Sequence, residues 1–151
     1  MLTAASPAAN ADPVNGITRI LVSHSEKCLS IPGGSHTVGV QATQFDCEPN
    51  TAAKRFDVQV QNLDAWDNPV FSIKSVASGL CLDVANTRLG EPVIQDQCSP
   101  YSTWSWDKAG RLVWDPNRQL CLAVPHAYKS NNVGLILWTC NNGREQEWSE
   151  Y

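Results

Sequence analysis

Six cysteines, three histidines and a scatter of carboxylates are the groups in this chain with reactive chemistry to offer. The thiols stand at Cys28, Cys47, Cys81, Cys98, Cys121 and Cys140, and the first, third and fifth are each followed by the next about 17 to 19 residues on. A thiol can hold metal, act as a nucleophile or pair with another thiol. Metal holding calls for closely spaced ligands, yet the chain has no Cys-x-x-Cys, and His36 stands isolated from other ligand types. Nucleophilic catalysis calls for a base beside the nucleophile, and His24, His36 and His126 lie in loop-like stretches without a serine or cysteine motif. Carboxylates are scattered without a spacing that selects a pair for acid–base work. Asp64 and Asp67 flank Trp66 but lack the ligand spacing of a calcium loop. No catalytic residue, cofactor or metal is therefore expected. What remains is pairing of the thiols, which six cysteines can do in 15 ways. A fully disulfide-bonded chain is expected to be secreted.

The elements around the cysteines narrow those 15 ways to one. Cys-Leu recurs at residues 28–29, 81–82 and 121–122, and an apolar residue follows two places later at Ile31, Val84 and Val124. Apolar residues alternating in this way mark half-buried strands. Eight residues before each of these cysteines stand Ile20, Ile73 and Val113, inside further strand-like runs: ITRILV, VFSIKSV and RLVW. The turn-rich stretches SHSEK, ASG and DPNR separate the two strands of each unit. A Gly/Asn/Pro-rich loop comes next, then a third strand into the second cysteine (VGVQATQFDC, PVIQDQC, GLILWTC), then a fourth stretch ending in an aromatic. Gln146-Glu147-Trp148 and Trp104-Ser105-Trp106 each lie six to eight residues past a cysteine, and Lys54-Arg55-Phe56 fits the same place with one extra residue. Four strands with a period of about 40 residues also suit a propeller blade, but three blades fall below the smallest propellers. Three such units close as an all-β, pseudo-threefold β-trefoil: a six-stranded barrel capped by three hairpins. Each repeat then closes its own disulfide, Cys28–Cys47, Cys81–Cys98 and Cys121–Cys140, worth about 3 kcal/mol each in the chain-entropy picture. Residues 1–15 read as a flexible Ala/Pro/Asn/Ser tail, and the domain is expected over 16–151, with repeats at about 16–68, 69–108 and 109–151.

Cys-Leu-Asp at residues 81–83 and Gln-x-Trp at 146–148, set in this threefold pattern, resemble the ricin B-type β-trefoil lectins, also known as (QxW)3 repeats or carbohydrate-binding module family 13. The resemblance runs over roughly residues 15–151. It implies one shallow sugar site per repeat, built from three groups. An Asp two residues past the first cysteine accepts sugar hydroxyls, an aromatic two residues before the second cysteine supports the C–H face of the ring, and an Asn precedes the Gln of Gln-x-Trp. A pyranose has one apolar face and a rim of hydroxyls, so a ring plus fixed polar groups suits it.

No repeat keeps the full set. The first has Ser30 at the Asp position and Phe45 at the aromatic position; the second has Asp83, but Asp96 in place of the aromatic and Thr103 in place of the Asn. The third has Trp138, but Ala123 and Glu145 at the two polar positions, with Asn141 just past Cys140. The expected carbohydrate contacts are Trp138 with Asn141 in the third repeat, Asp83 with Gln95 or Asp96 in the second, and Phe45 in the first. Trp148, Trp106 and Phe56 are expected as core aromatics beneath the hairpins, and Gln146 as a brace. Trp66, Trp114 and Tyr101 fall outside the template, and Trp66 reads either as an exposed partner contact or as a lid over the barrel end.

Net charge of −4 and a pI near 5.2 argue against nucleic acid or an anionic membrane surface as partner. No apolar run is long enough to insert into a membrane. The expected function is non-catalytic recognition of cell-surface or polysaccharide glycans, of galactose type or another. Three alternatives stand beside it: the glycan-binding delivery subunit of a secreted toxin, the carbohydrate-binding module of a polysaccharide-degrading enzyme, and a trefoil protease inhibitor using the loop near residues 61–69.

Overall fold

The structure is a computed structural model and describes residues 15–151; the expected tail falls almost wholly outside the described residues. Fourteen short strands among these residues form three four-stranded units. In the first unit, β1 (Gly16–Thr18) and β2 (Ile20–Val22) are two parts of one strand, followed by β3 (Cys28–Ser30), β4 (Thr43–Phe45) and β5 (Phe56–Leu63). The second holds β6 (Pro69–Ser75), β7 (Cys81–Val84), β8 (Val93–Asp96) and β9 (Trp104–Trp106). The third holds β10 (Leu112–Trp114), β11 (Leu120–Ala123), β12 (Val133–Gly134) with β13 (Ile136–Thr139), and β14 (Trp148–Glu150).

First and fourth strands build a closed ring. β1 pairs with β5, β5 with β6, β6 with β9, and β9 with β10. An Arg111–Glu147 bridge and the Trp148 N–H donating to Gly110 O at 2.9 Å carry the ring on to β14, which pairs with β2. Closure leaves no free barrel edge. Second and third strands form the three capping hairpins, β3–β4, β7–β8 and β11–β13. The hairpins touch one another around the threefold axis through β12–β4 and the bridges Gln41–Ile94 and Pro92–Ile136. This is the β-trefoil, with Cys28–Cys47, Cys81–Cys98 and Cys121–Cys140 each closing one hairpin.

Two registers differ from those the sequence suggests. Ile20 and Ile73 are fully buried, but their third counterpart is Leu112 rather than Val113. Leu21 lies opposite Cys28 and Lys74 opposite Cys81, seven residues before each cysteine, whereas Val113 lies opposite Cys121. The turn between β10 and β11 is therefore one residue longer than those between β2 and β3 and between β6 and β7, and a one-residue slip exchanges the two faces of a strand. The second concerns the fourth strand. Trp148 donates its indole N–H to Leu122 O at 3.0 Å, and Trp104 donates its own to Leu82 O at 3.1 Å; both are buried. Trp104, not Trp106, is thus the counterpart of Trp148 and Phe56. Trp106 lies partly buried outside that set, stacked on Phe71 at 5.0 Å and donating to Trp148 O. Ser102, rather than Trp104, accordingly stands where the third repeat has Gln146, and Tyr101, rather than Thr103, takes the position of Glu145. Thr103 is buried.

Candidate functional site: two hollows beside the hairpins

In each repeat the chain leaves the first hairpin strand, crosses a loop, and returns along the second hairpin strand. In the first and third repeats the three template positions line one hollow. In the third repeat Ala123, Trp138 and Glu145 wall a single hollow of 230 Å³ together with Val124, Pro125, His126 and Ile136. Trp138 sits on β13 with 43% of its surface exposed, while its neighbours Leu135 and Leu137 are fully buried, so the strand alternation turns the indole outward. The hollow is smaller than the roughly 300–1,000 Å³ of sites that enclose drug-sized ligands. It suits one ring lying on the indole.

The acceptor in this hollow comes from a different residue. Ala123 removes the carboxylate from β11, and Glu145, whose carbonyl accepts the Val124 N–H at 3.2 Å, brings a carboxylate-bearing side chain back into the lining from the turn after Cys140. Asn141, expected as a donor here, is not among the residues lining the hollow. Its Oδ1 accepts the Gly143 N–H at 2.7 Å, its own N–H donates to Gln146 Oε1, and its carbonyl accepts from Arg111. Asn141 therefore shapes the turn. Gln146 is buried and spans it, its Nε2 donating to Thr139 O at 2.9 Å. His126 lines the mouth with φ at 54°, the place taken in the first repeat by Gly33 at 62°. A left-handed conformation is natural for glycine and costly for histidine, which is a marker of a constrained site.

The first repeat carries a wider hollow of 680 Å³, lined among others by Ser30, His36, Phe45, Thr51, Ala53 and Lys54. Phe45 lies half-buried in it, with the Lys54 ammonium 5.0 Å from the ring centroid. Lys54 occupies the position of Gln146 and is itself buried. The alignment of Lys54-Arg55-Phe56 with Gln146-Glu147-Trp148, one residue further from the cysteine, holds in the structure.

The second repeat has carboxylates and no ring at the template positions. Asp83 Oδ2 accepts the Ser102 hydroxyl at 2.7 Å and Oδ1 accepts the Val84 N–H at 2.8 Å. Burial pushes the Asp83 carboxyl above its ordinary value, against those two hydrogen bonds, and the neighbouring Asp96 charge pushes the same way. Asp96 Oδ1 accepts the Gln97 N–H. Gln95 is no sugar contact, because its side chain is fully buried and all its strong groups are engaged. Its Nε2 donates to Ser35 O and Thr37 O, both at 2.9 Å, and its Oε1 accepts the Ser78 hydroxyl at 2.8 Å. Tyr101, which the alignment by Trp106 concealed, stands 74% exposed at the third template position.

Gln95 has a counterpart in Gln44. Its Nε2 donates to Tyr128 O and Ser130 O, and its Oε1 accepts the Ser25 hydroxyl. Each glutamine lies opposite the leucine of a Cys-Leu pair and reaches into the loop of the repeat that precedes its own around the threefold axis. Gln95 thereby holds the loop of the first hollow and Gln44 that of the third. The third member of the set is Leu137, so the loop of the second repeat has no such clamp.

Away from the hollows, Trp66 is 77% exposed at the tip of the β5–β6 hairpin and forms no lid. Asp64 accepts the Trp66 and Asn68 N–H groups at 2.8 and 2.9 Å, so it closes the turn. Among the described residues no three metal-ligating side chains come together.

The model of the ricin-type beta-trefoil lectin domain family matches residues 16–148. No curated protein sequence matches this chain. Among solved structures, the designed threefold-symmetric protein ThreeFoil superposes with a TM-score of 0.77 at 24% identity, over 89% of this chain and 97% of that one. The Rhizoctonia solani agglutinin gives 0.80 at 13% identity, over 93% and 96%. The Macrolepiota procera ricin B-like lectin, solved in complex with lactose, gives 0.73 at 14% identity, over 93% and 97%. At these identities the likeness to solved structures shows the fold alone.

Proposed function

Because this chain belongs to the ricin-type beta-trefoil lectin domain family, we propose that it is a non-catalytic glycan-binding domain whose working site for a neutral sugar is the hollow of the third repeat. The observation that carries this reading is that the outward indole of Trp138 and the acidic Glu145 line one hollow. A pyranose laid on the indole meets an apolar face, and its hydroxyls meet a charged acceptor, whose hydrogen bonds are about twice as strong as neutral ones. The Gln44 amide fixes the loop beforehand, which lowers the ordering cost of binding. A hollow this open releases little water, so single-site affinity is weak and biological grip comes from several sites or from attachment to another subunit. The lactose held by the Macrolepiota procera lectin makes β-galactosides the first sugars to try. Three disulfides suit an oxidising compartment, and secretion belongs to the proposal.

A glycan array with wild type beside Trp138→Ala tests this. Binding of a neutral glycan class that is lost in the variant, with near-UV circular dichroism unchanged, supports the reading; a variant that binds as well as wild type removes the third hollow from it. A second reading is favoured by Trp66, since an exposed indole on a rigid turn suits a protein contact. Under it, the domain delivers a toxin or enzyme subunit to a glycan through the hairpin tip.

A further inference from the structure

We infer that the wide hollow of the first repeat is selective for an acidic sugar, a pyranose bearing a carboxylate, and that Lys54 supplies the charge that selects it. The inference rests on the glycan-binding reading of these hollows but concerns a different repeat from the one proposed for neutral sugars.

The three repeats place Lys54, Ser102 and Gln146 at one position of the fold. In the second and third repeats that side chain is fully occupied with its own surroundings. Gln146 donates to Thr139 O and accepts the Asn141 N–H. Ser102 accepts the Ser99 N–H and donates to Asp83. Lys54 breaks the pattern. An ammonium has three protons to donate and accepts none, and Lys54 Nζ donates to Pro49 O at 3.0 Å with the Phe45 ring face at 5.0 Å. No carboxylate lies within ion-pair distance of it among the described residues. The two acids nearest in sequence to Phe45 are held elsewhere: Asp46 by Lys27 at 2.8 Å and Glu48 by Arg19 at 2.8 Å. Lys54 is only 4% exposed. The Asp46 carboxylate feels the Lys54 charge only from beyond ion-pair distance, and a buried charge with no carboxylate in direct contact is costly to hold.

The surroundings specify a partner for that charge. Lys54 lines the hollow together with Phe45, whose ring occupies the stacking position of the fold, and with the small polar groups Ser30, Thr51 and Asn132. A ring platform, a cation and short hydroxyl and amide groups match a sugar ring with a carboxylate at its edge. A simple inorganic anion has no use for the platform, and a neutral sugar leaves the ammonium unpaired. The hollow, at 680 Å³ against 230 Å³ in the third repeat, admits a substituent that the smaller one does not.

The test compares glucuronate with glucose, which differ only at the oxidised carbon, by NMR titration of the full chain. Glucuronate is expected to shift the amides of Ser30, Thr51 and Ala53 and to bind at least tenfold more tightly than glucose there, with the preference weakening as salt is raised. Lys54→Gln installs the residue that the third repeat already carries at this position, so the fold tolerates it; this variant is expected to lose the preference. Trp138→Ala is expected to keep it. Equal binding of the two sugars, no shift at the first-repeat amides, or a preference that survives Lys54→Gln overturns the inference. The neutral-glycan reading fails separately, if Trp138→Ala leaves β-galactoside binding intact while Lys54→Gln changes glucuronate binding alone.

Discussion

Replacing Gln95 by leucine removes a clamp that the fold uses twice and omits once. The leucine is of similar size and already stands at the equivalent place as Leu137, so the backbone of β8 accepts it. What is lost is three hydrogen bonds of 2.8–2.9 Å, to Ser35 O, Thr37 O and the Ser78 hydroxyl. A net contribution of about 1 kcal/mol per bond gives about 3 kcal/mol. Ser35 and Thr37 lie near the surface, so water replaces part of the loss, and the apolar side chain regains some burial. The expected cost of Gln95→Leu is about 2 kcal/mol, or roughly 4–8 °C in Tm for a domain of this size. Urea unfolding with the disulfides intact measures the first, and hydrogen exchange measures where it falls. Protection is expected to drop in the loop over residues 32–39, which flanks the first hollow, while the β11–β13 hairpin keeps its protection. A loss under about 0.5 kcal/mol with unchanged exchange in that loop refutes the clamp.

Asp83→Asn isolates the buried carboxyl of the second repeat. Because burial raises the Asp83 pKa in the folded state, its favourable contribution is complete below the unfolded value of about 3.9 and is lost as pH rises through the folded value. The variant is therefore expected to match or exceed wild type in stability at pH 7, with the difference closing towards pH 4; thermal unfolding across that range checks the sign. Replacing Cys121 and Cys140 together by alanine opens one hairpin and is expected to cost about 3 kcal/mol by denaturant unfolding, with the other two disulfides still formed. Trp138→Ala, which removes a partly exposed ring, is expected to cost much less stability than binding, and a melting curve beside the array separates the two.

Much of the architecture was legible in the residues. A Cys-Leu pair with an apolar residue two places on dictates a strand with one face buried, and three copies dictate three equivalent hairpins, because period-two alternation allows only one face to enter the core. The disulfide pairing follows from that repetition, since each hairpin brings its own two cysteines together. Trp138 was legible for the same reason: it alternates with Leu135 and Leu137, so it turns outward when they turn in. Counting from the cysteines failed wherever a turn changed length. One extra residue before Cys121 moved the core position from Val113 to Leu112, and a shorter stretch after Cys98 moved the core aromatic from Trp106 to Trp104.

The sites were the least legible part, and the reason is physical. A strand pattern states which side of the local sheet a residue faces but says nothing about what arrives from another repeat. Gln95 looks like a surface residue beside Asp96 until the loop of the first repeat closes over it and takes both its amide protons. Glu145 looks like a lost asparagine until the turn after Cys140 brings it into the lining of the hollow with Ala123 and Trp138. Lys54 looks like a solvated charge until the hairpin cap buries it against Phe45. The sequence by itself determined three hairpins, their disulfides and the barrel they cap, because those depend on local periodicity repeated three times. Only the tertiary structure decided which polar groups face a hollow and which brace its walls, because that depends on contacts between repeats that no local spacing encodes.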